Sequence, residues 1–326
     1  MYRGPISMSA QPRISVVLPT DTYETIARVL DRLNQSEFAE QCEIVLVTKE
    51  TDELRTSLAS SYRFHSISIV STSSLSPLGP ARACGILSAS AELVFIGETH
   101  SYLWPEALGR LTEVLENNDA DIALPVFLNG NPDRVISWSA FLAAYSRWGI
   151  DQSDCELCDV PPYNFVASRK ILAELASESR EYFSNGALLI KSFEQRKLRY
   201  RTVPAARIDH VNLEPFSVAM DEFYLQGVRF AAERRTRWSF SRCFVYASGS
   251  FLVPILLLWR QRQGILSTFF GRRAPLLALA NVPLLYIARA FGEFTGYIFG
   301  QKPGHLIRTE KYEVRRHDYA GSCLDR

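Results

Sequence analysis

"PLGPARACGILSASAELVFIGETHSYLWPEAL", Pro77 to Leu108, is the stretch on which the fold of this chain turns. Pro80 stands where a first helical turn accepts proline, whose ring already holds the φ a helix needs. "PARACGILSASA" is therefore expected to be a helix, and it runs straight into the apolar stretch Leu93 to Ile96. That stretch stops at Gly97, as a buried strand does when it ends in a surface turn. Beyond the turn come Glu98, Thr99 and His100, then a second proline-led helix, "PEALGRLTEVLENN". Polar groups just past the carboxyl end of a strand are where open α/β sheets bind ligands. If the segment is extended, Glu98 and His100 point to the same side. The alternative is that Glu98 caps the turn and His100 hydrogen-bonds nearby.

Outward from this stretch, the same alternation continues in both directions. "RISVVLPT" (Arg13 to Thr20) reads as a buried first strand, and "TYETIARVLDRLNQ" as a helix with Ile26, Val29, Leu30 and Leu33 on one face and Thr22 at its N-cap. "CEIVLVT" and "SISIV" read as strands two and three, and "ADIALPVF" as the strand after the second proline-led helix. Strands alternating with helices mean a mainly parallel sheet covered on both faces, an α/β fold. After Phe127 the pattern turns irregular, through "LNGNPDRVISWSAF", "DVPPYNFVASRKILAEL" and "REYFSNGALLIKSF", the part expected to close over a substrate.

Composition narrows the function. The 326 residues carry 36 Lys+Arg against 35 Asp+Glu, so nothing pulls the whole chain toward nucleic acid. Residues 1–12 lack the apolar core of a secretory signal and read as a flexible leader. The six cysteines are scattered in the manner of a reduced protein. Cys155 and Cys158 form a CxxC, but no second pair or neighbouring histidine completes a zinc site.

From about Arg242 the chain changes character. "CFVYASGSFLVPILLLW" is uncharged over roughly 17 residues, the short end of a membrane span. "RQRQGILSTFFGRR" follows with four arginines, then "APLLALANVPLLYIARAFGEFTGYIFG", interrupted by Arg289 and Glu293. Basic residues on both sides of the first stretch disfavour a single crossing. Helices lying in the cytoplasmic membrane interface, or a shallow re-entrant hairpin, fit better; helices that only pack on the globular part are the alternative.

The order of parts resembles the family 2 glycosyltransferases with the nucleotide-diphospho-sugar (GT-A) fold. Their run of small residue, Ala-Arg, Gly-Ile and Ala is matched by Ala81, Arg82, Gly85, Ile86 and Ala89. Pro105 matches the proline that opens their next helix, and "ISVVLPT" and "EIVLV" look like their first two strands. The likeness covers about Arg13 to Arg235. It implies a donor half at about 13–127 and an acceptor half at about 128–241; composition adds apolar membrane-associated helices at 242–300 and a polar tail at 301–326. Two positions depart from the family. Thr48 and Lys49 stand where paired aspartates hold the nucleoside, with Glu50 and Asp52 as the nearest substitutes. Glu98-Thr99-His100 stands where the family has Asp-x-Asp.

What the resemblance implies is an inverting transferase that moves a sugar from a nucleotide-diphospho-sugar to an acceptor hydroxyl. A glycan or lipid-linked acceptor at the cytoplasmic side of the cell membrane is expected. Charge grows on the diphosphate as the glycosidic bond breaks, and a divalent cation, Mn2+ or Mg2+, stabilises it. Glu98, His100 and the late His210 are the candidate ligands, and imidazoles shift the preference from Mg2+ toward Mn2+. Pro19, Thr20, Glu50, Arg82 and Glu98 are candidate donor contacts. Glu181, with Glu178 beside it before Gly186, is the candidate base for the acceptor proton. Asn164, Trp138 and Trp148 are candidate acceptor or sugar contacts, the tryptophans having core packing as their alternative. A GT-A-fold protein that binds without turnover is the rival reading. A nucleotidyltransferase is disfavoured, because "LPTDTYET" has no glycine for a phosphate loop after the first strand.

Overall fold

A computed structural model describes residues 11–58, 62–149, 161–184 and 186–320. Cys155 and Cys158 lie outside the described residues. In chain order the elements begin β1 (Ile14–Pro19), α1 (Tyr23–Asn34), β2 (Cys42–Thr48), α2 (Thr51–Ser57), β3 (Ser66–Ser71) and α3 (Leu78–Ser88). Next come β4 (Leu93–Ile96), β5 (Ser101–Leu103), α4 (Ala107–Glu116), β6 (Ile122–Asn129), α5 (Val135–Ala144), β7 (Phe165–Ser168), α6 (Arg169–Glu178) and α7 (Gly186–Gln195). The chain continues with β8 (Tyr200–His210), α8 (Phe216–Arg235), α9 (Phe240–Gly249), α10 (Val253–Gly271), α11 (Leu276–Phe299) and α12 (Pro303–Val314). The sheet order is β3-β2-β1-β4-β7-β6-β8-β5. It is parallel through β3, β2, β1 and β4, and antiparallel where β7 meets β4 and β6.

The chain divides into two compact units: Met1–Glu98, Trp104–Leu124 and Cys155–Ala206 form the first, and Thr99–Leu103, Pro125–Asp154 and Arg207–Arg326 the second. In the first, every residue of β1 and β2 is buried. Strands buried on both faces need helices on both, which is why these strands are continuous apolar runs rather than alternating ones. The α/β expectation is met. Helix α1 buries Ile26, Val29, Leu30 and Leu33, the stripe its sequence spacing calls for. Thr22 stands at its N-cap without a side-chain cap bond; the Asp21 carboxylate instead accepts from the Thr22 N–H at 2.8 Å. Helix α3 lies directly on the strands. A Cβ at Gly85 would overlap Val17 and come within 2.9 Å of Val47 Cγ2, so only glycine admits this approach.

The second unit is helical around a short strand pair, β5 with the end of β8, in which Ser101 faces His210. Helix α5 falls in the stretch that reads as irregular. Seven of its ten residues, Ser137 to Ala143, are buried, so it has no polar face to reveal its period. Helix α11 packs along α8 so closely that a Cβ at Gly292 would collide with the Tyr224 carbonyl. A buried polar knot steadies the chain after His210. Ser137 Oγ donates to Asn129 Oδ1 at 2.6 Å, Asn212 Nδ2 to the same oxygen at 2.9 Å, and the Asn212 N–H to Asn131 Oδ1 at 2.9 Å.

Candidate active site

The turn after β4 contributes candidate residues to each unit. In the first unit Glu98 is buried, and its carboxylate is held from two sides. Arg82 Nη2 approaches Oε1 at 3.4 Å, and Asn164 Nδ2 donates to Oε2 at 3.0 Å. Arg82 comes from α3, donates through Nη1 to the Phe183 carbonyl at 2.9 Å, and lies 4.9 Å over the Tyr163 ring. Asn164 adopts the left-handed conformation at φ 57°, one asparagine tolerates better than most residues. Its N–H donates to the Ile96 carbonyl at 2.5 Å, which ties it to the end of β4. A carboxylate offers about four acceptor positions, and here Arg82 and Asn164 approach it on different oxygens.

In the second unit His100 and His210 meet edge to face, ring centroids 4.9 Å apart. Both are buried. The His210 ring lies tilted against Tyr145, ring centroids 3.9 Å apart, and neighbours Phe127 at 6.2 Å. Burial, with a smaller contribution from the Arg316 charge, pushes the His210 pKa well below the usual histidine value. A neutral imidazole is the form that ligates a metal. His100 and His210 can each offer an imidazole nitrogen to an ion, and Glu98, two residues before His100 in the chain, can offer a carboxylate oxygen. One carboxylate oxygen with two imidazole nitrogens suits Mn2+ better than Mg2+.

The segment after α12 also reaches this turn. Thr99 Oγ1 donates to the Val314 carbonyl at 2.9 Å, and His317 Nε2 lies 2.8 Å from the Thr99 carbonyl. Arg316 is buried and pairs with Glu222 of α8 at 2.6 Å. The sequence reading had no means of finding Arg316 or Glu222. They lie 94 residues apart in sequence, and Arg316 sits in a short polar stretch with no hydrophobic period.

The other candidates stand in several places. Thr20 is buried at the end of β1, with its hydroxyl 2.8 Å from Thr25 Oγ1 and 3.0 Å from the Thr22 carbonyl, so it and Pro19 shape the turn into α1. Glu50 is exposed at the start of α2, and its N–H donates to Thr48 Oγ1 at 3.2 Å. Glu181 is exposed on the 3-10 turn Arg180–Ser184, the turn whose Phe183 carbonyl holds Arg82. Glu178, at the end of α6, pairs with Arg196. Trp138 donates through Nε1 to the Pro132 carbonyl at 2.8 Å, and Trp148 packs against Phe127 and Tyr145. The structure thus joins Arg82, Glu98 and Asn164 in the first unit, and sets Trp148 among the aromatic rings around His210 in the second.

A parallel sheet with polar side chains in the turn past a strand's carboxyl end has the layout in which open α/β proteins bind ligands. Residues 15–176 match Glycosyl transferase family 2, and through this segment the chain belongs to that family and is a glycosyltransferase. A structure of S. aureus TarS 1–349 in complex with UDP-GlcNAc is 16% identical at a TM-score of 0.44, covering 94% of this chain and 92% of that one. The mannosyltransferase PcManGT from Pyrobaculum calidifontis, in complex with GDP-Man and Mn2+, is 15% identical at a TM-score of 0.49, covering 94% and 88%. A search of curated proteins gives no match. Assignment to the family rests on residues 15–176.

Proposed function

We propose that the chain is an inverting, metal-assisted glycosyltransferase acting on a nucleotide-diphospho-sugar and an acceptor hydroxyl. The observation that carries the reading is the buried Arg82–Glu98–Asn164 arrangement inside the segment that matches the family. A divalent cation held by Glu98, His100 and His210 would offset the charge that grows on the leaving diphosphate. Asn164 and Arg82 orient the Glu98 carboxylate. Pro19, Thr20 and Glu50, at the ends of neighbouring parallel strands, line the donor's nucleoside end in this reading. Glu181 is the base: its carboxylate takes the acceptor proton as the acceptor oxygen bonds to C1 from the face opposite the breaking C1–O bond. Glu178, which pairs with Arg196, is the second candidate for that role. Trp138 and Trp148 remain acceptor-side candidates.

Two helical stretches, Phe240–Gly271 and Leu276–Phe299, are long and apolar enough to cross a membrane by length and composition. They support an acceptor that is lipid-linked or part of a cell-surface glycan, used at the cytoplasmic membrane face. The decisive assay measures hydrolysis of a panel of nucleotide sugars with Mn2+, with Glu98→Ala and His100→Ala beside the parent. Donor turnover lost in both variants is the expected result. Binding without turnover in all three proteins would favour the rival, a GT-A-fold binding protein, which the replacement of two aspartates by Glu98 and His100 recommends.

A further inference from the structure

We propose that α9, α10 and α11 form a monotopic seat for an anionic lipid leaflet, with their apolar face in the headgroup boundary and arginines on lipid phosphates. This deepens the membrane reading given above and rests on it. Phe240, Phe251, Ile255, Trp259, Phe270 and Leu276 are between 65% and 80% exposed. Large apolar side chains exposed this densely mark an interaction surface. From Phe240 to Gly292 the chain contains no aspartate or glutamate. Arg235, Arg237, Arg242, Arg260, Arg262 and Arg273 are all exposed around the same segment. Arg262 lies 3.9 Å over the Trp259 ring, and Arg242 4.1 Å over Trp238. Cations beside tryptophans are the residues that settle at a headgroup layer.

The packing decides between lying on the bilayer and crossing it. Helix α10 is docked on the protein: Ile265 and Thr268 are buried, and Thr268 Oγ1 donates to the Ser146 carbonyl at 3.1 Å. Helix α11 is packed along α8, which carries Asp221, Glu222, Arg229, Glu233, Arg234 and Arg235. A crossing α11 would draw those charges into hydrocarbon, where each is costly. Lying in the plane keeps α8 on the aqueous side and gives only the outward face to lipid. A second copy of the chain is the poorer occupant, because a two-fold contact sets a patch against itself and here would set arginines against arginines.

The test is flotation of the full chain with vesicles of phosphatidylcholine alone or with a third phosphatidylglycerol, in low and high salt. Tight, salt-weakened binding to the anionic vesicles is expected. Near an anionic surface each arginine is worth about fivefold in partition, so Arg260→Gln/Arg262→Gln should lower it roughly twenty-fivefold. Trp259→Ser should weaken binding to both vesicle types, and thermal melting of each variant shows whether it still folds. Equal binding to neutral and anionic vesicles overturns the proposal. So does no binding at all, or a dimer broken by Trp259→Ser in a protein that ignores vesicles. No sugar donor enters this assay: a chain that floats yet turns over no donor upholds the lipid seat and sinks the transferase reading, and the converse result does the reverse.

Discussion

Glu98 is buried with an arginine on one oxygen and an asparagine amide on the other, so its carboxylate is held in one orientation. Glu98→Ala is expected to cut Mn2+-dependent donor turnover by roughly a hundredfold, as losing one preorganised charge-stabilising group does in other enzymes. Asn164→Ala, which leaves the carboxylate in place but unsteadied, should cost less, and steady-state kinetics on the two variants separates them. His210 makes a different prediction, one of stability. Its imidazole is held neutral in the fold and takes a proton in the unfolded chain as pH falls through about 6.5. The stability it contributes is complete above that pH and is lost below it, at about 1.4 kcal/mol per pH unit. Urea titrations of metal-free protein at about pH 7.5 and 5.5 should show the parent losing more than His210→Phe by about that amount.

Among the elements, α3 and the chain after α12 carry the clearest tests. Gly85 presses α3 onto Val17 and Val47, so Gly85→Val overpacks a site with no slack. A loss of about 1–3 kcal/mol in urea is expected. Arg316 docks its segment by a buried pair with Glu222. Removing one partner leaves a buried charge uncompensated, and Arg316→Met should cost about 3–5 kcal/mol. Pairing it with Glu222→Leu should recover much of that loss, which a double-mutant cycle reads directly. β1 to β4, β6 and helices α1, α3 and α4 were legible because each carries its own period or an unbroken apolar run, whereas α2 was not among the expected elements. Helix α5 was not, because burial on all sides erases the polar face that makes a helix visible. Strand β5, three residues long, exists through its pairing with the end of β8, about a hundred positions on.

For the whole molecule, the apolar carboxyl-terminal third divides between two tasks that composition cannot tell apart. Val282, Leu285 and Tyr286 of α11 are buried, whereas Leu276, Leu284 and Phe291 of the same helix are exposed. Gly292→Leu should part α11 from α8 and lower the melting temperature, since its Cβ has nowhere to go against the Tyr224 carbonyl. A substitution on the outward face, such as Phe291→Ser, should leave melting nearly unchanged, because that side chain contributes little to folding.

The residues alone determined the parallel α/β layering and the proline-led helices around β4, while the candidacy of Arg82, Glu98, His100, His210 and Asn164 came through the resemblance to the family. Local period, turn chemistry and spacing are written in neighbouring residues, so the layering and the helices could be read along the chain. Tertiary structure decided that Asn164 steadies Glu98, that Tyr145 and Phe127 cage His210, and that Arg316 and Glu222 pair. It also decided which side of α11 faces protein and which is left outward. Each of these depends on residues far apart in sequence being brought into van der Waals or hydrogen-bond range, and no local pattern encodes that meeting.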